Sequence, residues 1–266
     1  MISKRSALLH LLFFFCLTYI LSWSIWLWGL PRSGWFLVLG TFAPTLIALL
    51  LTAIYDGRKG LAKILQVMIR WRVKAWWYLF CFGSTALVVG VSLVWYSLND
   101  GQITHTNDPR QWYLIFPAFL QVLFFSVLGE EIGWRGFALP QMQKMIGALP
   151  ASMVLGIIWS LWHLPLFWQA DNFHSQLPIS LFLLQSIALT ILITWLYNRT
   201  GGSLLMVHLF HTASNLTLGV LPIMPENTGG DLAPLWMAVV LLWLMTLVVL
   251  LLTKGKLGFD HRSCRG

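Results

Sequence analysis

Seven ionisable side chains fall inside long apolar stretches of this sequence: His10, Glu130, Glu131, Arg135, His163, His208 and His211, with Asn215 as an amide in the same setting. Carrying such a group into a membrane span costs about 2.5–3.5 kcal/mol on insertion scales, so each is a functional candidate. In Leu128-Gly129-Glu130-Glu131-Ile132-Gly133-Trp134-Arg135-Gly136, the adjacent carboxylates are separated by about 100° around a helix and face different ways. Glu131 and Arg135 are i,i+4, with the acid in the favoured N-terminal position. Their pairing neutralises one acid and leaves Glu130 without an intrahelical partner, which suits a general base. In Trp159-Ser-Leu-Trp-His163-Leu-Pro165, the proline is expected to kink the helix near the Leu161 carbonyl and open space beside His163. His208, His211 and Asn215 share one helical stripe.

One carboxylate, two imidazoles and an amide can run hydrolysis by two routes. In the first, Glu130 takes a proton from water, His163 orients that water, and Asn215 with His211 stabilises the oxyanion. In the second, Glu130, His163 and His211 bind zinc and leave a fourth position for water. No H-E-x-x-H helix is present, so the metal-free route is favoured and zinc stands as the alternative. Serine catalysis is weaker, because no G-x-S-x-G surrounds Ser126, Ser160 or Ser214.

The elements that position these groups are set by composition. Of 266 residues, 58% are hydrophobic and only 10% are charged, too apolar for a soluble globule to cover itself. Cys16 and Cys81 sit in apolar runs and Cys264 in the tail, which excludes a disulfide scaffold. Eight apolar runs are long enough to cross a bilayer as helices, near 7–30, 35–55, 76–98, 111–139, 151–169, 178–198, 203–221 and 234–253. The expected fold is therefore all-α: a polytopic helix bundle, one transmembrane domain over 1–266. With both termini in the cytoplasm, fifteen of the seventeen basic residues lie on that side; only Arg32 and Arg110 lie opposite, with Asp100, Asp108, Asp171, Glu226 and Asp231. The net charge of +8 thus reads as topology and interaction with the lipid bilayer, not as a nucleic-acid surface. The basic segment 57–75 is expected to lie along the cytoplasmic face. At about 1.5 Å per residue, Glu130, His163 and His211 lie roughly 13, 18 and 12 Å from the basic ends of their helices. Such depths predict one polar chamber open to the cytoplasm.

The order E-E-x-x-x-R, then aromatic-x-x-x-H, then H-x-x-x-N, each in its own hydrophobic segment, resembles the CPBP family, the CAAX prenyl protease and bacteriocin-processing group. The matching residues are Glu130, Glu131 and Arg135, then Trp159 and His163, then His211 and Asn215. Trp159 stands where the family often has Phe, and the resemblance covers roughly 112–221. It implies an intramembrane endopeptidase in which Glu130 activates water, His163, His211 and Asn215 assist, and Glu131 with Arg135 supports the helix. The expected partner is a membrane-associated peptide or protein substrate, CAAX-type or a leader peptide. The expected location is an integral multi-pass protein of the bacterial cytoplasmic membrane; the sequence leaves the oligomeric state open. A catalytically inactive scaffold or immunity protein of the same fold, a transporter, or a haem bundle using His163 and His211 are the competing readings.

Overall fold

The computed structural model describes residues 4–29, 33–104, 106, 109–170 and 172–259. Arg32, Asp108, Asp171, Arg262, Cys264 and Arg265 lie outside the described residues. Every regular element among the described residues is helical: α1 (Lys4–Gly29), α2 (Trp35–Thr41), α3 (Ala43–Met68), α4 (Trp76–Leu98), α5 (Ile115–Val122), α6 (Leu128–Glu131), α7 (Leu139–Ile146), α8 (Ala148–Trp162), α9 (Ile179–Arg199), α10 (Leu204–Val220) and α11 (Ala233–Thr253), with short 3-10 and π stretches between some of them. These elements make eight helices long and apolar enough to span a membrane: Ser6–Gly29, Trp35–Met68, Trp76–Leu98, Arg110–Ile146, Ala148–Trp168, Ile179–Arg199, Leu204–Asn227 and Ala233–Thr253. Large apolar side chains such as Phe13, Leu79, Val94, Phe116 and Leu252 are exposed on the outside of the bundle. In water they would aggregate; against acyl chains they are in their own solvent.

Hydrogen bonds between connections define the two ends of the bundle. At one end the Ser203 hydroxyl donates to the Arg70 carbonyl at 2.6 Å, the Arg70 guanidinium donates to the Gly201 carbonyl, and the Asn198 amide donates to Gln143 (2.7 Å) and to the Leu257 carbonyl (3.1 Å). This is the basic end. At the other, Thr104 donates from N–H and hydroxyl to the Asn227 carbonyl, and Gln176 reaches Glu226 at 3.5 Å. The second span does not stop at Tyr55. It bends at Gly57, whose φ of 60° and ψ of −151° leave the helical region, and continues to Met68. Glycine takes that conformation without a Cβ clash, so residues 58–68 of the basic stretch form a second helical limb of α3, and 69–75 connect it to α4.

The fourth span is built for its acids. Leu123–Val127 and Ile132–Ala138 are π-helical, and the single α-turn between them, α6, carries Leu128, Gly129, Glu130 and Glu131. A π turn inserts an extra residue per turn, and such bulges recur at functional sites. The glycines let this irregular span meet the start of α3 backbone to backbone. A Cβ on Gly133 would stand 2.6 Å from the Pro44 carbonyl, and one on Gly129 would stand 2.8 Å from the Thr41 carbonyl. The Thr45 hydroxyl donates to the Leu128 carbonyl at 2.9 Å at the same contact, satisfying a backbone acceptor that lipid could not.

Pro165 does not kink its helix at Leu161. It ends it: α8 stops at Trp162, His163 is the C-cap, and the chain turns into a 3-10 segment, Leu164–Trp168. The missing proline N–H and ring clash explain the stop. Span 1 covers the exposed helix end. The Trp23 indole donates to the Trp162 carbonyl at 2.9 Å, and the Tyr19 hydroxyl donates to the Ile158 carbonyl. Trp26 and Trp134 pack on either side of Trp162, with ring centroids 4.7 and 5.6 Å from it.

Gly133→Ala should therefore force span 4 off α3 and lower stability by about 1–3 kcal/mol. Gly83→Ala, where a Cβ meets nothing within 4 Å, should be neutral or slightly stabilising. Thermal unfolding of the two variants in the same detergent checks the difference.

Candidate active site

Four spans converge on the two acids. Arg135 Nη1 donates to Glu131 Oε1 at 2.8 Å, one turn along span 4, and both side chains are fully buried. The same Oε1 lies 2.6 Å from Nδ1 of His211 on α10. Arg135 Nη2 donates to the Thr190 hydroxyl on α9 at 3.1 Å, and its guanidinium lies 4.6 Å above the Trp159 ring of α8. Glu131 and Arg135 thus do more than brace their own helix: they tie spans 4, 5, 6 and 7 together. His211 is held by Glu131. A carboxylate only accepts, so its Nδ1 carries the proton and Nε2 is the nitrogen left with a lone pair when the ring is neutral.

Glu130 faces another way, as its 100° offset from Glu131 requires. Its Oε2 accepts the Trp159 indole N–H at 2.7 Å, and its Oε1 lies 3.4 Å from the Ser126 hydroxyl one turn back. His163 Nδ1 lies 2.8 Å from the Trp159 carbonyl, which again puts the proton on Nδ1 and leaves Nε2 free. Trp159 therefore serves both residues, donating to one through its ring and accepting from the other through its backbone. Its ring also stands edge-on to both His163 and His211.

Glu130, His163, His211 and Asn215 line one cavity, of about 180 Å³ open to water-sized molecules, together with Ser126, Trp159, Phe182 and Gln185. A second chamber of about 350 Å³ meets it and shares Ser126, Glu130, His163, Phe173 and His174; its outer wall includes Leu37, Val38, Val122 and Phe125. Glu130 and His163 thus stand on the wall between two chambers. The four expected residues are brought to one place, although Asn215 is only half-buried there. His208 is not: its Nδ1 lies 2.6 Å from the Leu204 carbonyl and it does not line the cavity.

Phe173 and His174, from the connection that follows Pro165, border both chambers. Toward the basic end the space is filled by Trp134, Arg135, Leu139 and Leu155, none of which is exposed at all. His174 is a residue that motif spacing could not find, because it stands alone in a short loop. Its Nδ1 lies 2.7 Å from Asn172 Oδ1 and its ring stacks on His163 at 5.0 Å with an interplanar angle of 29°. Burial pushes His174 down to about 3, so its own ring is neutral at physiological pH.

Residues 111–217 match the family described as Type II CAAX prenyl endopeptidase Rce1-like. The chain is also 35% identical over 118 residues to CAAX prenyl protease 2 of Methanococcus maripaludis, a match that covers 41% of this chain and 44% of that protein. The chain therefore shares less than half the length of the curated relative it matches. Every polar residue of the site, from Ser126 to Asn215, falls inside the matched segment.

The trio named for zinc, Glu130, His163 and His211, borders one cavity. Among the described residues no three His, Cys, Asp or Glu side chains form a group able to hold a metal ion. His211 directs Nδ1 to Glu131 and His163 directs Nδ1 to the Trp159 carbonyl, so both keep Nε2, the nitrogen a metal-bound imidazole would use. Glu130 is engaged through Oε2 by the Trp159 indole.

Breaking the buried pair should be costly. Arg135→Met should destabilise the protein by about 3–5 kcal/mol, because it leaves Glu131 charged and half-compensated. The double variant Glu131→Gln/Arg135→Met should recover part of that loss. Unfolding midpoints in detergent, with and without the second substitution, measure both.

Proposed function

We propose that this protein is an intramembrane endopeptidase that hydrolyses a peptide bond of a membrane-associated protein or peptide, with water activated by Glu130. The observation that carries the reading is that one buried carboxylate, freed from Arg135 by its neighbour, borders a cavity with two imidazoles whose free nitrogens are both Nε2. Glu130 takes a proton from a water lodged beside it, and the resulting hydroxide adds to the scissile carbonyl. His163 orients that water through Nε2. Asn215, through its amide N–H, and His211 stabilise the oxyanion that forms. Collapse of the tetrahedral intermediate breaks the C–N bond, and Glu130 returns its proton to the leaving nitrogen. Trp159 holds the Glu130 carboxylate in position throughout.

The match to a CAAX prenyl protease supports a substrate of the prenylated CAAX type over a bacteriocin leader. The second chamber supports entry of the substrate between spans 2 and 4, where Leu37, Val38, Val122 and Phe125 present an apolar wall. The charge asymmetry supports a cytoplasmic location for the basic end.

Glu130→Gln should abolish cleavage of a prenylated CAAX peptide in proteoliposomes while the unfolding midpoint stays within a few degrees of the parent. Asn215→Ala should retain binding and lower turnover by about 10²–10³-fold, as loss of one oxyanion donor does. Turnover should survive exhaustive chelation. Cleavage by the Glu130→Gln variant would exclude the proposed base, and loss of turnover on chelation with rescue by zinc would replace this route with the metal one.

A further inference from the structure

At the basic end, far from Glu130, an open groove of about 910 Å³ is lined by Arg72, Lys74 and Arg199 with Trp71, Trp76 and Trp77. All three cations are exposed, and none is among the ion pairs of the described residues. No acidic side chain among the described residues lines the groove. The first turn of α4, a helix of 23 residues, opens into it at Trp76. The Trp77 and Tyr78 N–H groups donate to the Lys74 and Ala75 carbonyls at 3.0 Å, so the helix end contributes its dipole rather than free donors.

The groove is built rather than incidental. Its strap, residues 69–75, is pinned by the Ser203 hydroxyl to the Arg70 carbonyl and by Arg70 to the Gly201 carbonyl. Its floor is the aromatic pair Trp76 and Trp77, centroids 3.6 Å apart, with Trp195 4.9 Å from Trp77. The Arg199 stem lies against Gly258, whose φ of 74° and missing Cβ let it do so; a Cβ there would stand 2.6 Å from Arg199 Cδ. Arg72 lies 5.3 Å over the Trp71 ring.

We infer that this groove is a binding site for the headgroup of an anionic phospholipid. Charge complementarity selects an anion, and the tryptophans place the groove at the depth of the headgroups. Leu79, one turn into the span from Trp76 and 75% exposed, continues the surface into the acyl region. A lipid satisfies both halves, whereas a free phosphate satisfies only the polar one. The site is independent of the proposed hydrolysis.

The test is native mass spectrometry of the detergent-solubilised full chain titrated with phosphatidylglycerol or phosphatidylcholine. Phosphatidylglycerol should bind more tightly, and inorganic phosphate in large excess should not displace it. Removing cations near a lipid surface weakens binding roughly fivefold for each, so Arg72→Gln/Lys74→Gln should weaken phosphatidylglycerol binding on the order of twentyfold. Both side chains are exposed, so this pair keeps the fold; Arg199→Gln, which removes a packed stem as well, is the second variant and should weaken it about fivefold. Arg58→Gln/Lys59→Gln, with the same charge removed outside the groove, should change it little. Equal affinity for the two lipids, displacement by phosphate, or equal losses in the groove and control pairs would each overturn the inference.

Discussion

A single carboxylate oxygen organises the centre of this bundle. Glu131 Oε1 lies within hydrogen-bond distance of both Arg135 and His211. Through Arg135 it is linked to Thr190 on span 6 and to the Trp159 ring on span 5. Burying these charges is expensive, and a buried pair is seldom a net gain over a well-packed apolar replacement. What the cluster supplies is register. Four spans that could slide against one another as greasy rods are held at the one height where a cation and an imidazole meet a carboxylate and a hydroxyl accepts from that cation.

Fixing that register leaves the neighbouring acid free. Adjacent helical positions point about 100° apart, so a Glu-Glu pair on one turn serves two environments. Glu131 faces the cation and Glu130 faces the cavity. The π stretches on either side, and the glycines at the Thr41–Pro44 contact, let the turn carrying both acids sit deep in the bundle. Trp159 then couples the halves, since its ring lies beneath Arg135 and its N–H holds Glu130. Structure and chemistry are divided between residues adjacent in the chain.

Much of this is legible in the sequence and some is not. The eight spans follow from the length of the apolar runs, and the Glu131–Arg135 pair follows from i,i+4 spacing. Both are local properties. The bond from His211 to Glu131 is not, because it depends on which faces of spans 4 and 7 meet across 80 residues of sequence. Trp159 reads as an aromatic position, and only the packed structure shows that its N–H is aimed at a carboxylate. Pro165 is legible as a disturbance, but whether it kinks or ends a helix depends on whether another element can cap the freed carbonyls; Trp23 does so. That ending turns the chain so that Phe173 and His174 border the cavity.

The division of labour between the two glutamates is tested most directly by double-mutant cycles in unfolding stability, pairing His211→Ala with Glu131→Gln and, separately, with Glu130→Gln. Residues in contact within one buried network couple by about 0.5–3 kcal/mol, and residues without a direct interaction by a few tenths. Glu130 and His211 share a cavity, so both cycles should show coupling, and that of the directly bonded Glu131–His211 pair should be clearly the larger. The reverse pattern would show that Glu130 holds the histidine, and the assignment of one acid to structure and the other to water would be wrong.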